Sequence, residues 1–327
     1  MWGSVAIVLV SAVVMLLVVK HRTSLKKHMC QSKAHLKGKT VLVTGANCGI
    51  GYETALELAK RQARVILACR NIENGEQAAV KIRQKSGNQD IIFLQLDLES
   101  MVSIRLFAEK ILEFEPHIDV LLNNAGVMYP EYCATEDGFE LHMGVNHLGH
   151  FLLTNLLLER LKESQPSRIV TVSSLLYKNC DQFDFDNMNS KSEARLSTQP
   201  NRHVAYCQSK LANILFTREL ARRLSGTRVT ANVLSPGMVQ TRLGRHSLRK
   251  LPFALQPLVY VVLSLLFKTP WEGAQTSIHC ALAEEMEEVS GAFVRDCQQA
   301  QLLTDVSKDE HVARKLWDVS CRLVGIV

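Results

Sequence analysis

Tyr206 and Lys210 stand four residues apart in a stretch with helical periodicity, so their side chains leave one face and can share a site. A phenol titrates near pH 10, and lowering it by ~3 units needs ~4 kcal/mol. One ammonium ~4 Å away in a medium of effective dielectric ~20 supplies about that much. The pair therefore has the parts needed to exchange a proton with a carbonyl or an alcohol. Ser174 ends the run Val172-Ser173-Ser174, where a hydroxyl can hydrogen-bond a substrate oxygen and stabilise charge developing on it.

The run Thr44-Gly45-Ala46-Asn47-Cys48-Gly49-Ile50-Gly51 follows a β-branched stretch and precedes a helical one. Three glycines spaced G-x-x-x-G-x-G let the backbone turn tightly and approach a pyrophosphate, whose charge meets the amides and dipole of the helix start. Loops after strands are often glycine-rich for turning alone; the position between strand and helix marks this one as a phosphate cradle. The second strand ends in Cys69-Arg70, where such domains read the adenosine ribose. An acidic side chain there would accept the 2′-hydroxyl of NAD, whereas a guanidinium suits the 2′-phosphate of NADP(H). NADP(H) is accordingly the expected cofactor, the alternative being that Arg70 only caps the strand in solvent. Asp97 and Leu98, after the third strand, stand where the adenine edge should lie.

His142, His147 and His150 invite a metal reading, but their positions share no helical face and no carboxylate or cysteine stands at ligand spacing, so no metal is expected. The nine cysteines include no C-x-x-C pair and suggest neither a disulfide framework nor a zinc knuckle. Cys48 and Cys207 read as small packing residues.

These groups need a frame. The chain has 327 residues, 47% hydrophobic and 21% charged, enough for one large α/β domain with short extensions. Short β-branched runs at 40–44, 64–68, 91–96, 120–122, 168–172 and 228–234 alternate with helical periodicity at 53–61, 76–85, 103–114, 151–162 and 205–224. A seventh strand is expected near 292–294. This alternation predicts one doubly wound domain, a parallel sheet covered on both faces, with ligands at the carboxyl ends of the strands. Residues 179–202 read as a polar surface excursion. The apolar stretch 251–267, broken by Pro252 and Pro257, is too short to span a membrane and reads as a lid, an interfacial segment or a buried helix.

From Trp2 to Val19 the chain carries no charge, close to the ~20 apolar residues that cross a bilayer core. A cleaved signal peptide would place positive charge before the apolar run; here Lys20, His21, Arg22, Lys26, Lys27 and Lys33 follow it. The expectation is a transmembrane anchor over 1–20 and a basic connector over 21–37, with everything after Lys20 on the cytosolic side. The net charge of +6 is partly this flank, so no nucleic-acid partner is expected.

With Asn123-Asn124-Ala125-Gly126 after the fourth strand and Tyr206-Cys207-Gln208-Ser209-Lys210 on a helix, the chain resembles the short-chain dehydrogenase/reductase family over roughly 38–296. The resemblance implies a single Rossmann domain, set at 38–300 with a helical tail over 301–327, and an oxidoreductase. It selects Ser174 over Ser173 and adds Asn146 as the residue that holds a water leading from the lysine. It also adds Asn124, Ala125 and Gly126 to the cofactor wall, and Pro236, Gly237 and Thr241 as the loop that holds the nicotinamide. The anchor, Cys69-Arg70-Asn71, Asn146-His147-Leu148-Gly149-His150-Phe151 and Leu316-Trp317 look most like the microsomal NADP-dependent retinol dehydrogenases. That likeness implies a hydrophobic substrate, all-trans-retinal first, with steroid, polyprenoid or lipid-derived carbonyls as alternatives. It also implies an endoplasmic reticulum membrane location, and leaves a homo-oligomer open. Ser235 departs from the histidine common before Pro-Gly, on the expected substrate side. A non-catalytic, membrane-tethered dinucleotide-binding protein is the reading from another class.

Overall fold

The computed structural model describes residues 28–128, 133–188, 202–240 and 267–326. The anchor expected over 1–20, the basic stretch through Lys27, Thr241 and nearly all of 251–267 lie outside the described residues. No helix among the described residues is long and apolar enough to cross a membrane.

Seven parallel strands, β1 (Thr40–Thr44), β2 (Arg64–Cys69), β3 (Ile91–Gln95), β4 (Val120–Asn123), β5 (Ser167–Val172), β6 (Val229–Ser235) and β7 (Phe293–Arg295), lie in the order β3-β2-β1-β4-β5-β6-β7. An antiparallel edge strand, β8 (Gln298–Ala300), follows β7 through a two-residue turn, so the sheet is not parallel throughout. Its sequence, Gln-Gln-Ala, is polar and short and carries no strand signal.

The β-branched runs are continuous because both faces of the sheet are covered, and alternate residues feed opposite cores. Leu42, Ile66, Leu121 and Ile169 point to one face. Val41, Val43, Val65, Leu67, Leu122 and Val170 point to the other. The second face is covered by α1 (Gly49–Lys60), α2 (Ile72–Ser86) and α7 (Pro270–Leu282). The first is covered by α3 (Met101–Phe114), α4 (Gly149–Leu156), α5 (Leu158–Glu163), α6 (Arg202–Arg223) and α8 (Glu310–Val324). The helix expected over 151–162 is two, divided at Leu157. Helix α8 belongs to the core: Trp317 packs at 5.0 Å from Phe151 and 5.9 Å from Phe216, measured between ring centres.

The segment expected as a surface excursion begins by burying itself. Cys180, Phe183 and Met188 join the core under α6, because its polar residues are interleaved with apolar ones that the composition hides. Crossing from β3 to β4 reverses the direction in which the sheet grows. The resulting crevice, between the carboxyl ends of β1 and β4, is where ligands bind in open sheets of this kind.

Candidate active site

The crevice is a cleft of about 490 Å³. Its walls carry Gly45, Asn47, Cys48, Gly49, Ile50 and Gly51 from the cradle, and Arg70, Asp97 and Leu98 from the next two strand ends. Asn124, Ala125 and Gly126 after β4, Ser174 after β5, Tyr206 and Lys210 on α6, and Pro236 and Gly237 after β6 complete them. Ala46 does not line it; its side chain is buried in the core shared with α1. Ser235, expected on the substrate side, is buried in β6 and is not among the lining residues.

The cradle has the form that an anionic ligand needs. Gly49 takes φ +60 as α1 starts, a conformation other residues adopt at a cost. Gly51 serves packing instead: a Cβ there would stand 2.5 Å from the Gly45 carbonyl oxygen. Helices α2, α3, α7 and α8 are capped by the side chains of Asn71, Ser100, Thr269 and Asp309. Helix α1 is not; Cys48 makes no cap hydrogen bond and the first turn holds no acid. That leaves the positive end of a helix, without a side-chain acceptor, at the wall of the cleft. These residues fit a dinucleotide pyrophosphate. At the far end Arg70 is ion-paired with Glu99, and both line the cleft.

At the reacting end, the Tyr206 hydroxyl hydrogen-bonds Ser174. Burial pushes the phenol up to about 12, the Ser174 contact pulling the other way. Lys210 donates from Nζ to the Val172 carbonyl at 3.0 Å and stands 5.8 Å from the centre of the Tyr206 ring. Burial lowers it to about 8. The lysine's field was expected to lower the phenol; here burial of the phenol dominates and Lys210 is not among the groups that shift it. At neutral pH Tyr206 therefore keeps its proton and is an acid ready to give it.

Asn146 sits in a π-helical turn, Gly144–Leu148, between the turn Leu141–Met143 and α4. Its Oδ1 accepts from the Val127 amide at 2.8 Å, and its Nδ2 donates to the Val127 carbonyl at 3.1 Å and to Ser209 Oγ at 3.0 Å. Both amide hydrogens are thus engaged by protein acceptors, and the side chain ties the loop after Gly126 to α6. The Ser209 hydroxyl in turn donates to the Tyr206 carbonyl at 2.8 Å.

Two of the histidines set aside as metal ligands support this site. His150 Nδ1 faces the Asn146 carbonyl at 3.1 Å, which only accepts, so that nitrogen carries the proton. Burial lowers this histidine to about 4, so it is neutral and Nε2 accepts from Thr44 Oγ1 at 2.9 Å. Thr44 Oγ1 also accepts the amides of Asn124 and Ala125 at 2.9 and 3.0 Å. One hydroxyl thereby joins the end of β1, the wall after β4 and the turn that carries Asn146. His142 lies edge-on to Tyr206 at 6.1 Å between ring centres, and Nδ1 is 2.6 Å from buried Glu140. Glu140 and Glu99 carry no sequence signal, and Thr44 is visible in the sequence only as the end of the first strand. The only available signal was the spacing of four between Asn146 and His150, which places both on one helical face.

A family model described as short chain dehydrogenase matches residues 39–180 and 189–251. Retinol dehydrogenase 11 of Homo sapiens is 51% identical over 305 residues, covering 93% of this chain and 92% of that one. Retinol dehydrogenase 14 of Homo sapiens is 51% identical over 305 residues, covering 89% and 88%. Among solved structures, an uncharacterised protein from Mycobacterium paratuberculosis superposes with a TM-score of 0.71 at 33% identity, covering 91% of this chain and 97% of that one.

Proposed function

The chain belongs to the short chain dehydrogenase family, and from that premise we propose that it reduces all-trans-retinal and similar hydrophobic aldehydes with NADPH, working from the endoplasmic reticulum membrane with its catalytic domain in the cytosol. The observation that carries the chemistry is the proton-loaded Tyr206 hydroxyl, bonded to Ser174, on the wall of a cleft whose other end holds an uncapped helix start and a guanidinium. The retinoid substrate rests on the names of the relatives. The membrane location rests on the uncharged run from Trp2 to Val19 and the cations after it.

Helix α1 and Arg70 would hold the pyrophosphate and the 2′-phosphate, with Pro236, Gly237 and Thr241 beside the nicotinamide. When bound, NADPH supplies the hydride. Ser174 orients the carbonyl oxygen, and Tyr206 gives that oxygen its hydroxyl proton as charge develops there. Lys210, fixed by the Val172 carbonyl, keeps a cation beside the phenolate left behind. Asn146 holds the loop after Gly126 against the helix that carries the tyrosine. Alcohol oxidation is the same path reversed, with Tyr206 taking the proton.

Tyr206→Phe removes the acid and should lower kcat by roughly 10²–10⁴-fold while the Kd for NADPH moves little. Membranes bearing the full chain should be given retinal, a steroid ketone and a lipid-derived aldehyde in competition, with NADPH and then NADH. Turnover of none of them would end the enzyme reading; preference for the steroid would replace the retinoid. Near-normal kcat in Tyr206→Phe would remove the assignment of the proton donor.

A further inference from the structure

The place where the chain comes off its proposed anchor is fixed against the domain, and this inference rests on that anchor. His28, the first described residue, has its carbonyl 3.2 Å from Cys297 Sγ, which donates to it. Two residues on, the Cys30 amide donates to Gln275 Oε1 at 3.3 Å, and Gln275 Nε2 donates to the Trp271 carbonyl at 3.2 Å. Cys297 shares the β7–β8 turn with Asp296, whose carboxylate pairs with Lys268 Nζ at 2.6 Å. The Lys268 amide donates to the Met238 carbonyl at 2.9 Å. The emerging chain is thus a few hydrogen-bonded neighbours from both Trp271 and Met238.

The joint is held firmly. Asp296 and Cys297 take φ +53 and +57, left-handed conformations that a two-residue hairpin turn requires and that glycine or asparagine adopts more readily. Here each is a residue whose side chain makes a contact: Asp296 with Lys268 and Cys297 with His28. A turn of glycines would fold as well and would leave the connector unheld.

Beside this joint two large apolar side chains are exposed. Met238 is 65% exposed and Trp271 46% exposed. Trp271 stands at the start of α7, and Met238 directly follows Pro236 and Gly237 on the lip of the cleft. The nine residue steps from Val19 to His28 can reach at most about 32 Å when fully extended. The end of the apolar run at Val19 is therefore never farther than that from His28, and its partner is the bilayer. An indole prefers the headgroup level, where its ring is in apolar surroundings and its N–H stays wet.

We infer that the face carrying Trp271 and Met238 seats on the lipid bilayer beside the anchor, with Trp271 at headgroup depth and the lip of the cleft against the membrane. An apolar aldehyde dissolved in the bilayer then reaches Tyr206 without crossing bulk water.

The chain has three tryptophans. Trp317 is buried among Phe151 and Phe216, and Trp2 lies in the anchor. In full-chain Trp2→Phe reconstituted in phosphatidylcholine vesicles, replacing the lipid by its acyl-brominated form should quench tryptophan emission, with the Trp271 component falling roughly twofold for an indole seated in the interface. The double variant Trp2→Phe/Trp271→Phe should show no quenching. Equal emission in both lipids, with the protein floating with the vesicles, overturns the inference and leaves the anchor standing; unquenched but blue-shifted Trp271 emission would assign the face to a second protein copy. Protein that fails to float overturns the anchor, and the seated face with it. As a second measurement, Trp271→Asp should raise the KM for retinal delivered in vesicles several-fold and leave the rate on a short water-soluble aldehyde unchanged. Equal effects on both substrates would overturn the route from the bilayer.

Discussion

Thr44→Val keeps the shape and branching of a fully buried side chain and removes one oxygen. That oxygen accepts the Asn124 and Ala125 amides and gives its proton to His150. The Asn124 amide retains a second acceptor, the Leu122 carbonyl at 3.0 Å, so its loss is partial. The Ala125 amide and His150 Nε2 are left with nothing. At about 1–3 kcal/mol for each group stranded away from water, the change should cost about 3 kcal/mol. For a domain of this size that is a fall in Tm of roughly 5 °C. The affected amides belong to the wall formed by Ala125 and Gly126, so the KM for NADPH should rise as well, while Thr44→Ser, which keeps the hydroxyl, should hold both values near those of the parent. The assay is thermal unfolding of the detergent-solubilised full chain with and without NADPH, alongside initial rates at varied NADPH. A Thr44→Val protein that unfolds within about 1 °C of the parent, or a Thr44→Ser protein equally impaired, would refute the idea that one hydroxyl couples strand, loop and turn.

Burial lowers His147 and His150 to about 3 and about 4, below the 6.5 of an unhindered imidazole. The unfolded chain binds those protons first, so stability is whole above pH 6.5 and is lost as the pH falls, each histidine costing about 2 kcal/mol at pH 5. Tm should fall between pH 7 and pH 5, and His150→Gln should flatten the fall; an unchanged slope in that variant would show that the loss lies elsewhere. At the adenosine end, Arg70→Asp should shift the ratio of kcat/KM toward NADH by about 10–100-fold, the worth of a charged hydrogen-bonded contact. Glu99→Gln should tighten NADPH, because the guanidinium no longer has to leave a carboxylate. No change in cofactor preference for Arg70→Asp would mean that the 2′-phosphate is held by another group.

Much of the frame is legible before folding because its signals are local. Strand β1 coincides with its sequence expectation at 40–44, and the other expected parallel strands differ by a residue or so at their ends. Most are apolar runs bounded by polar residues, and β1, β4 and β6 are buried along their whole length. Strand β8 was invisible because a polar three-residue edge has no periodicity; it pairs only because the turn at Asp296 and Cys297 brings it back along β7. The break at Leu157 and the π-turn around Asn146 were likewise hidden, since periodicity over so few residues does not separate one helix type from another.

For the site, the residue types, their order and their spacing along the chain determined which groups would gather: the glycine cradle, Arg70, Ser174, Tyr206 and Lys210 each end a strand or share a helical face, and topology then leaves them one crevice to occupy. Only the tertiary structure decided what those groups are chemically. Spacing alone sets the lysine's charge beside the phenol; the fold buries the phenol, holds the lysine on the Val172 carbonyl and leaves the tyrosine protonated. Thr44, His150 and Glu140 acquire their roles the same way, through partners as much as 106 residues distant in sequence. Hydrogen bonding and desolvation are properties of surroundings, and surroundings exist only once distant segments have been packed together.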